Sequence, residues 1–238
     1  MLIAFKMVRW DMRLQARSHL YTATVLTTLA FCLTVYLLAP FDLERKWLAF
    51  LLFMDPAVIG LSFVGAFILM ERGGKTLSAL ATTPLQGWVY VFGKIASFAI
   101  LGSVSGACVA FVASGGHLIY PTAALSLLMT NAAAVLLGFA LAAPAATVNA
   151  FLARMSIAML IVTTPALGYL GLVPDTVHMA LAVIPTYSML VLLEAGFAQS
   201  AVSVGEYIVH GVYLLAWTIA GWFWSVRAYE RHMRVGDV

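Results

Sequence analysis

The densest group of charged side chains in this sequence lies in a polar interruption between two long apolar runs. This segment, residues 71–94, reads ERGGKTLSALATTPLQGWVYVFGK. Its charged members are Glu71, Arg72, Lys75 and Lys94. Charges gathered in this way can grip the polar surface of a partner by ion pairs and charge-assisted hydrogen bonds. We therefore interpret the segment as a docking site for another protein.

A short helix is predicted within this segment, over residues 76–81. Thr76 is suited to the N-cap of such a helix, and Pro84 stops it shortly after its end. If membrane spans flank the segment, the helix is tied to both, so a partner that pushes on it moves the spans. The alternative is a solvated polar turn that only satisfies the ends of the neighbouring helices.

Asp55 is the charged residue set deepest in an apolar run. If a membrane-spanning helix begins near Trp47, Asp55 lies about 12 Å along it, where an unpaired charge is costly. One interpretation is a polar site on a substrate path, able to attract the cationic group of an amphipathic molecule. In the other, Asp55 is an N-cap followed by Pro56 at the first helical position, and the span starts at Pro56.

Three other residues within apolar runs have side chains that could bind a ligand or react. Asn131 is the second candidate for the substrate path, and a hydrogen bond between helices is its alternative role. Cys32 and Cys108 are interpreted as buried small hydrophobic residues without a disulfide.

The sequence lacks the motifs that would let this chain use a nucleotide or cleave a bond. No GxxxxGK[ST] run is present, and GGKT at 73–76 lacks the upstream glycine and the preceding strand of a phosphate-binding loop. The HExxH and GxSxG patterns are also missing, and the histidines are scattered. We therefore expect no catalytic residue, no metal site and no cofactor bound by this chain.

Composition places these residues in a membrane protein. The 238 residues are 63% hydrophobic and 10% charged, with a mean hydropathy of +0.99, and such a chain could not cover its apolar surface in water. At roughly 20 residues per span, the length suits about six membrane-spanning helices with short connections. The sequence pI of about 9.0 reflects basic residues beside the apolar runs and does not indicate nucleic acid.

The prediction is an all-α integral membrane protein that forms a single transmembrane domain over residues 1–238. The six spans are predicted at 20–39, 47–70, 88–113, 122–148, 155–173 and 206–226. A loop at 71–87 joins the second and third spans, and Arg154 marks the turn before the fifth. Residues 174–205 are broken by Pro185 and Gly196, so two short helices that dip into the outer leaflet or lie on it fit them better than one full span.

Residues 1–19 carry four basic side chains at helical spacing, Lys6, Arg9, Arg13 and Arg17. Most of the other positions there are apolar, which is the pattern of an amphipathic helix lying on an anionic membrane surface. The alternative is a charged lead-in to the first span.

The distribution of basic residues predicts the orientation. Of the 13 lysines and arginines, two (Arg45 and Lys46) fall between the first and second spans, which leaves eleven for the side that carries both termini. Membrane proteins keep such an excess of Lys and Arg in the cytoplasm. Both termini and the 71–87 loop are therefore predicted to be cytoplasmic, and the 174–205 segment is predicted to face outward.

Together, the amphipathic N-terminal helix, the six spans, the 71–94 segment and the broken segment before the last span resemble the membrane subunits of ABC-2 type ABC transporters. The family pattern is roughly Glu-Arg/Lys, two free positions, Gly-Thr, then Leu and Pro, and the matching residues are Glu71, Arg72, Thr76, Leu77, Leu80 and Pro84. Lys75 stands where the family usually has Gly. More narrowly, Asp55-Pro56 followed by this pattern resembles bacterial permeases that export fluoroquinolones or several drugs.

The resemblance implies a permease subunit of an ATP-driven exporter in the bacterial cytoplasmic (inner) membrane. A separate cytoplasmic ABC ATPase, which holds ATP and Mg²⁺, docks under the 76–81 helix, and a second permease subunit, identical or related, completes a dimer. The implied coupling residues are Glu71, Arg72, Lys75, Thr76, Leu77, Leu80, Pro84 and Lys94. The expected substrate is an amphipathic molecule, drug-like or lipid-like, moved outward, and anionic lipids hold the N-terminal helix.

Two functions of other classes remain open. An ion-coupled secondary transporter or channel requires ionisable groups across the membrane, of which Asp55 is the clear candidate. A non-transporting membrane scaffold would use the 76–81 helix as an adaptor site.

Overall fold

The structure is a computed structural model that describes residues 2–38, 44–74, 86–116, 121–197 and 202–233. The regular elements of these ranges are all helices, which confirms the all-α prediction. In chain order they are α1 (Leu2–Arg17), α2 (Leu20–Leu38), α3 (Arg45–Pro56), a π-helical stretch (Ala57–Phe63), α4 (Val64–Gly73), α5 (Gly87–Ala113), α6 (Pro121–Ala142), α7 (Val148–Thr163), α8 (Pro165–Tyr169), α9 (Asp175–Leu181), α10 (Pro185–Phe197) and α11 (Val204–His232).

Six helical runs of the described chain are long and apolar enough to cross a membrane, so the predicted number of spans is confirmed. They are α2, the α3–α4 run, α5, α6, the α7–α8 run and α11. Helix α1 is separate from the first span, because His19, at a φ of 58°, makes a turn between α1 and α2.

The second span is one helical run whose hydrogen-bond pattern changes after Pro56. Pro56 has no backbone N–H to donate to the preceding turn. The run continues as the π-helical stretch Ala57–Phe63 and returns to α-helix at Val64. Asp55 therefore lies inside a helix that begins at Arg45, and the interpretation of Asp55 as the N-cap of the span is wrong.

The fourth and fifth spans differ from their predicted ranges. The fourth ends at Ala142 instead of 148, because Pro144 follows and the residue before a proline disfavours helical geometry. The fifth begins at Val148 instead of 155, with Thr147 as its N-cap: Oγ1 accepts from a backbone N–H of the first turn at 3.2 Å. Arg154 is consequently an exposed residue within α7 and marks no turn.

The segment before the last span forms the predicted pair of short helices. Helices α9 and α10 meet at an angle of 97°, and Pro185 is the first residue of α10, where the missing N–H costs little. Helix α11 then starts with a capping box, in which Ser203 Oγ accepts from the N–H of Glu206 and the Glu206 carboxylate accepts from the N–H of Ser203. These local signals reverse the chain sharply before the last span.

The helix ends define two faces of the molecule. The face that we call the basic face carries α1 and the ends of α4, α6 and α11, which Arg72 of α4 joins by hydrogen bonds. The opposite face carries the start of α3 with Lys46, the end of α8 and the α9–α10 pair. The ends are thus grouped as the alternation of six spans requires.

The central helices approach so closely that glycine is required at their contacts. At Gly138 of α6, a Cβ atom would lie 2.5 Å from the carbonyl oxygen of Gly60 and 2.7 Å from that of Leu61. At Gly102 of α5, it would lie 1.9 Å from Oδ1 of Asn131 on α6. Since lipid supplies no hydrophobic driving force between helices, such close van der Waals contact is a main source of stability for the bundle.

Replacing Gly138 by alanine should therefore destabilise the bundle by about 1–3 kcal/mol, because backbone carbonyls cannot move aside as a side chain can. Gly211→Ala in α11 is the matched control, since no atom lies within 4 Å of its Cβ position, and it should be neutral or slightly stabilising. Thermal unfolding of both variants in one detergent measures the difference. Equal melting temperatures would contradict the packing described here.

Candidate functional site

Six polar side chains from three helices meet inside the protein at the basic face. We call them the basic-face network: Asp11 and Gln15 of α1, Glu71 of α4, and Tyr90, Lys94 and Ser97 of α5. All six are buried, and Glu71 is the most exposed at 2%. Charged side chains lie so deep in a protein only when they are paired and hydrogen-bonded.

Lys94 is the centre of the network. Its Nζ donates to Oε1 of Glu71 at 2.7 Å and to Oδ1 of Asp11. The ammonium also lies over the ring of Phe67, 4.2 Å from the centroid, and 5.2 Å from the centroid of Tyr90. One lysine therefore joins α1, α4 and α5. Because Lys94 has no exposed surface in this structure, it can act on a partner only through the residues that it binds.

The remaining oxygens of the two carboxylates are also hydrogen-bonded. Tyr90 OH donates to Oε2 of Glu71 at 2.6 Å. Oδ2 of Asp11 accepts from Ser97 Oγ and, at 3.0 Å, from Gln15 Nε2, which also donates to Ser97 Oγ at 2.8 Å. Each carboxylate oxygen thus has a donor, which makes two carboxylates tolerable beside one ammonium in a buried site.

The predicted basic stripe lies on the other side of α1 from this network. Lys6, Arg9, Arg13 and Arg17 are all exposed. Asp11 lies two residues from Arg9 and from Arg13, or roughly 200° around the helix from each. Helix α1 therefore has one buried polar edge and one exposed basic edge, whereas the binding of anionic lipids to the stripe stays a prediction.

Arg72, the neighbour of Glu71, is directed toward the ends of two other spans. Its Nη2 donates to the carbonyls of Ala143 at 3.0 Å and His232 at 3.3 Å, and its Nη1 donates to the carbonyl of Ala145. Carbonyls at the end of a helix have no partner within that helix. In this structure Arg72 supplies such partners after α6 and at the end of α11, a role that the sequence analysis did not assign.

The rest of the predicted coupling set lies outside the described residues: Lys75, Thr76, Leu77, Leu80 and Pro84. The structure places the two helices that flank this set, and the network bonds α4 to α5 directly. The coupling role of the whole set therefore stays a prediction.

Asp55 lies in the interior of the bundle, where three helices meet. Ser105 Oγ of α5 donates to Oδ1 of Asp55 at 2.8 Å and lies 2.5 Å from Thr28 Oγ1 of α2. Oδ2 of Asp55 has no hydrogen-bond partner among the residues that the structure describes. A fully buried carboxylate with one open oxygen is costly to keep, which favours a function over a purely structural role.

Asn131 lies close to Asp55, about one helical turn away along α5. Gly102 faces Asn131, and Gly106 faces Asp55, since a Cβ there would be 3.6 Å from Oδ2. Asn131 Nδ2 donates to the carbonyl of Leu127 in its own helix at 2.9 Å, and within the described chain its Oδ1 has no hydrogen-bond partner. The structure thus brings the two predicted path residues to the same side of α5.

A cavity of about 460 Å³ between α2 and α5 adjoins this polar patch. Thr28 and Ser105 are part of its lining, which is otherwise mainly apolar. Both cysteines also line it: they are free, as predicted, but Cys108 is exposed and Cys32 partly exposed. The prediction that both are buried is wrong, because the space between α2 and α5 stays open beside them.

Four of the six network residues were not predicted from the sequence: Asp11, Gln15, Tyr90 and Ser97. Tyr90 and Ser97 lie four residues before and three residues after Lys94, so helical spacing places all three on one face of α5. Asp11 is an acidic residue within a basic helix and lies on the side away from the stripe. These two patterns are the signals that could have identified the cluster.

Lys94→Met should destabilise the protein by about 3–5 kcal/mol, because two buried carboxylates then face each other without an ammonium. The combined variant Asp11→Leu, Glu71→Leu, Lys94→Met should recover most of that loss, since it removes all three charges. Unfolding in detergent compares the variants with Lys6→Met, an exposed control that should change stability by less than about 0.5 kcal/mol. If Lys94→Met has the same unfolding free energy as the parent, the network does not stabilise the protein.

Comparison with known proteins agrees with this architecture. A profile of the Fluoroquinolones export permease protein family matches residues 3–235, which include all six spans and the basic-face network. Two similar relatives are fluoroquinolones export permease proteins of Mycobacterium tuberculosis, one from strain CDC 1551 / Oshkosh and one from strain ATCC 25618 / H37Rv. Each is 30% identical over 210 residues, which cover 86% of this chain and 86% of the relative. The chain therefore belongs to the fluoroquinolones export permease protein family and is a multi-pass membrane permease.

Proposed function

We propose that this chain is the membrane subunit of an ATP-driven exporter of the ABC-2 type, which moves an amphipathic molecule outward across the bacterial cytoplasmic membrane. The observation that carries the proposal is the basic-face network, which joins the two helices flanking residues 75–85 to each other and to α1. Membership of an export permease family supports the transport role.

The network makes both ends of the 75–85 segment move together. Glu71 lies in the last turn of α4, Lys94 lies about two turns into α5, and their ion pair at 2.7 Å bridges the two helices. A partner that displaces the segment cannot bend one helix without the other, since separate movement breaks a buried ion pair. Helices α1, α4 and α5 therefore form a body that can transmit a rigid-body motion to the spans.

A purely stabilising role explains the network less well. Apolar replacement of a buried ionic cluster is often neutral or stabilising by about 1–4 kcal/mol, so apolar packing could hold these three helices at least as firmly. Ion pairs and hydrogen bonds differ from apolar contacts in their strict dependence on distance and angle. They hold the three helices in one arrangement relative to each other, which is what rigid-body motion between inward- and outward-facing states requires of the moving body.

The motor in this proposal is a separate cytoplasmic ABC ATPase that holds ATP and Mg²⁺ and docks on residues 71–87. The sequence contains no GxxxxGK[ST] motif, so we assign ATP hydrolysis to the partner. The excess of basic residues assigns the basic face to the cytoplasm, where the exposed stripe of α1 binds anionic lipids. A second permease subunit, identical or related, completes the unit.

The proposed substrate path runs past Asp55 and Asn131. The carboxylate of Asp55 attracts a cationic group, and the cavity between α2 and α5 offers apolar surface to the rest of an amphipathic molecule. Asp55 also makes an ion-coupled secondary transporter the second candidate, because such a transporter needs an ionisable residue within its spans. A non-transporting scaffold fits an export permease family poorly.

Purification from native membranes should recover an ABC ATPase with this chain, and uptake into inverted vesicles should require ATP. Glu71→Gln should lower transport per ATP hydrolysed by about 5- to 150-fold, the range of a coupling free energy of about 1–3 kcal/mol. Arg154→Gln is the control, since Arg154 is an exposed basic residue outside the network. Transport that persists without an ATPase and follows an ion gradient would overturn the proposal in favour of a secondary transporter.

Asp55→Asn should selectively weaken transport of cationic amphiphiles relative to neutral analogues of the same size. The amide keeps the shape of the side chain but loses the charge, and a charge pair at about 4 Å is worth about 4 kcal/mol at an effective dielectric of about 20, so a loss of about tenfold or more is expected. Vesicle uptake of a matched cationic and neutral pair measures the ratio. An equal loss for both molecules would assign Asp55 a structural role.

A further inference from the structure

A second polar cavity lies at the face opposite the basic face. It holds about 400 Å³ and is bordered by the start of α3, the end of α8, the bent pair α9–α10 and the start of α11. Aromatic and charged side chains form much of its wall, among them Lys46, Tyr169, His178, Tyr187, Glu194 and Glu206. We call it the re-entrant cavity.

Tyr187 of α10 is at the centre of a continuous aromatic wall in this cavity. Its ring centroid lies 5.2 Å from that of His178, 5.8 Å from that of His210 and 6.0 Å from that of Tyr169. Hydrogen bonds hold the rings: Tyr187 OH is 3.0 Å from His178 Nε2, and Ser188 Oγ is 2.9 Å from His210 Nδ1. The aromatic faces are therefore already positioned before any ligand binds.

Carboxylates stand beside the aromatic wall. Glu194 Oε2 accepts a hydrogen bond from the OH of Tyr169 at 2.5 Å. Asp175 and Glu206 also line the cavity. The basic residues nearby are Lys46, in the cavity, and Arg45, which lines an adjoining cavity that shares Glu194. Among the described residues, three carboxylates thus stand against two lysine and arginine side chains, which gives an excess of negative charge when His178 and His210 are neutral.

The wall already receives a cation from the protein itself. Nζ of Lys46 lies over the ring of Tyr169, 5.8 Å from its centroid, which is within the range of a cation–π contact. The ammonium is carried on a flexible four-carbon chain, so it can leave this position without any change in the backbone. The position of Lys46 therefore indicates that the aromatic wall can bind an ammonium group.

We infer that the re-entrant cavity binds an organic ammonium ion, which takes the place of the Lys46 ammonium beside Tyr169 and Glu194. Aromatic faces attract cations electrostatically and also pack against alkyl groups, so they select an alkylated ammonium over a small hydrated metal ion. The carboxylates add charge complementarity. The inference goes beyond the proposed function, because it requires neither an ATPase nor the path past Asp55.

The test uses the full chain in lipid nanodiscs, without ATP or an ATPase, and measures tetraethylammonium binding by equilibrium dialysis. Lys46→Met should tighten binding several-fold, because it removes the internal competitor and keeps the length of the side chain. Glu194→Gln should weaken binding by about tenfold or more, because it removes a charge while keeping the shape. Glu44→Gln should bind as the parent does, since Glu44 is an exposed carboxylate next to α3 that does not line the cavity.

Glu194→Asp separates loss of charge from loss of fold, because it keeps the carboxylate and should bind better than Glu194→Gln at the same melting temperature. Either of two results would overturn the inference. In one, Glu194→Gln binds the probe as the parent does. In the other, sodium competes as well as the probe itself does, so the cavity does not select an organic ammonium ion. Failure of ATP-dependent transport would leave these binding results unchanged, so the two proposals can fail separately.

Discussion

The arrangement of the basic face depends on the two ion pairs that the Lys94 ammonium makes with Asp11 and Glu71. A buried charge near the end of a membrane span is not solvated by water. Its counter-charges must therefore come from the protein. Glu71 and Asp11 supply them from two other helices. Helix α1 is therefore fixed on α5 by directional bonds, and not by attraction to lipid alone. The exposure of the basic stripe follows, because burying Asp11 turns the opposite edge of α1 outward.

Asp55 is also a buried charged residue, but only one of its two carboxylate oxygens has a hydrogen-bond partner among the described residues. Ser105, which also contacts Thr28, donates to one carboxylate oxygen, and the glycine at 106 lets the side chain lie against α5. The second oxygen has no hydrogen-bond partner in the described part of the chain. This carboxylate, with one oxygen hydrogen-bonded, lies two residues before the π-helical stretch, so a polar group and a helix irregularity are neighbours. π-Helical turns occur frequently at functional sites, and ionisable residues inside a membrane usually serve a function.

Hydropathy and length were sufficient to predict six spans and the broken segment, because a bilayer leaves few other solutions. The span ends were less predictable: Pro144 and Thr147 set the boundary between the fourth and fifth spans, which was predicted at Arg154. Asp55-Pro56 suits both a helix start and a helix interior, and only the structure, in which the helix begins at Arg45, resolves the choice. The charged ends of the loop could be identified locally. Asp11 stands out as an acidic residue on the side of α1 away from the basic stripe, but its pairing with Lys94 could not be predicted, because it depends on how α1 docks on α5.

One helical run links the polar sites of the two faces. Lys46, Asp55 and Glu71 all belong to the α3–α4 run, in which the first and last of these residues are separated by about 38 Å at 1.5 Å per residue. In a uniform α-helix, which is rigid, a movement of Glu71 would be transmitted along the whole helix to Lys46. The π-helical stretch lies between Asp55 and Glu71, and its irregular hydrogen bonding lets the two halves differ in direction. If the basic face moves as the proposed function requires, we expect the motion to reach Asp55 as a change of tilt about this stretch and to alter the contact of the carboxylate with Ser105 before it moves the far end of the span.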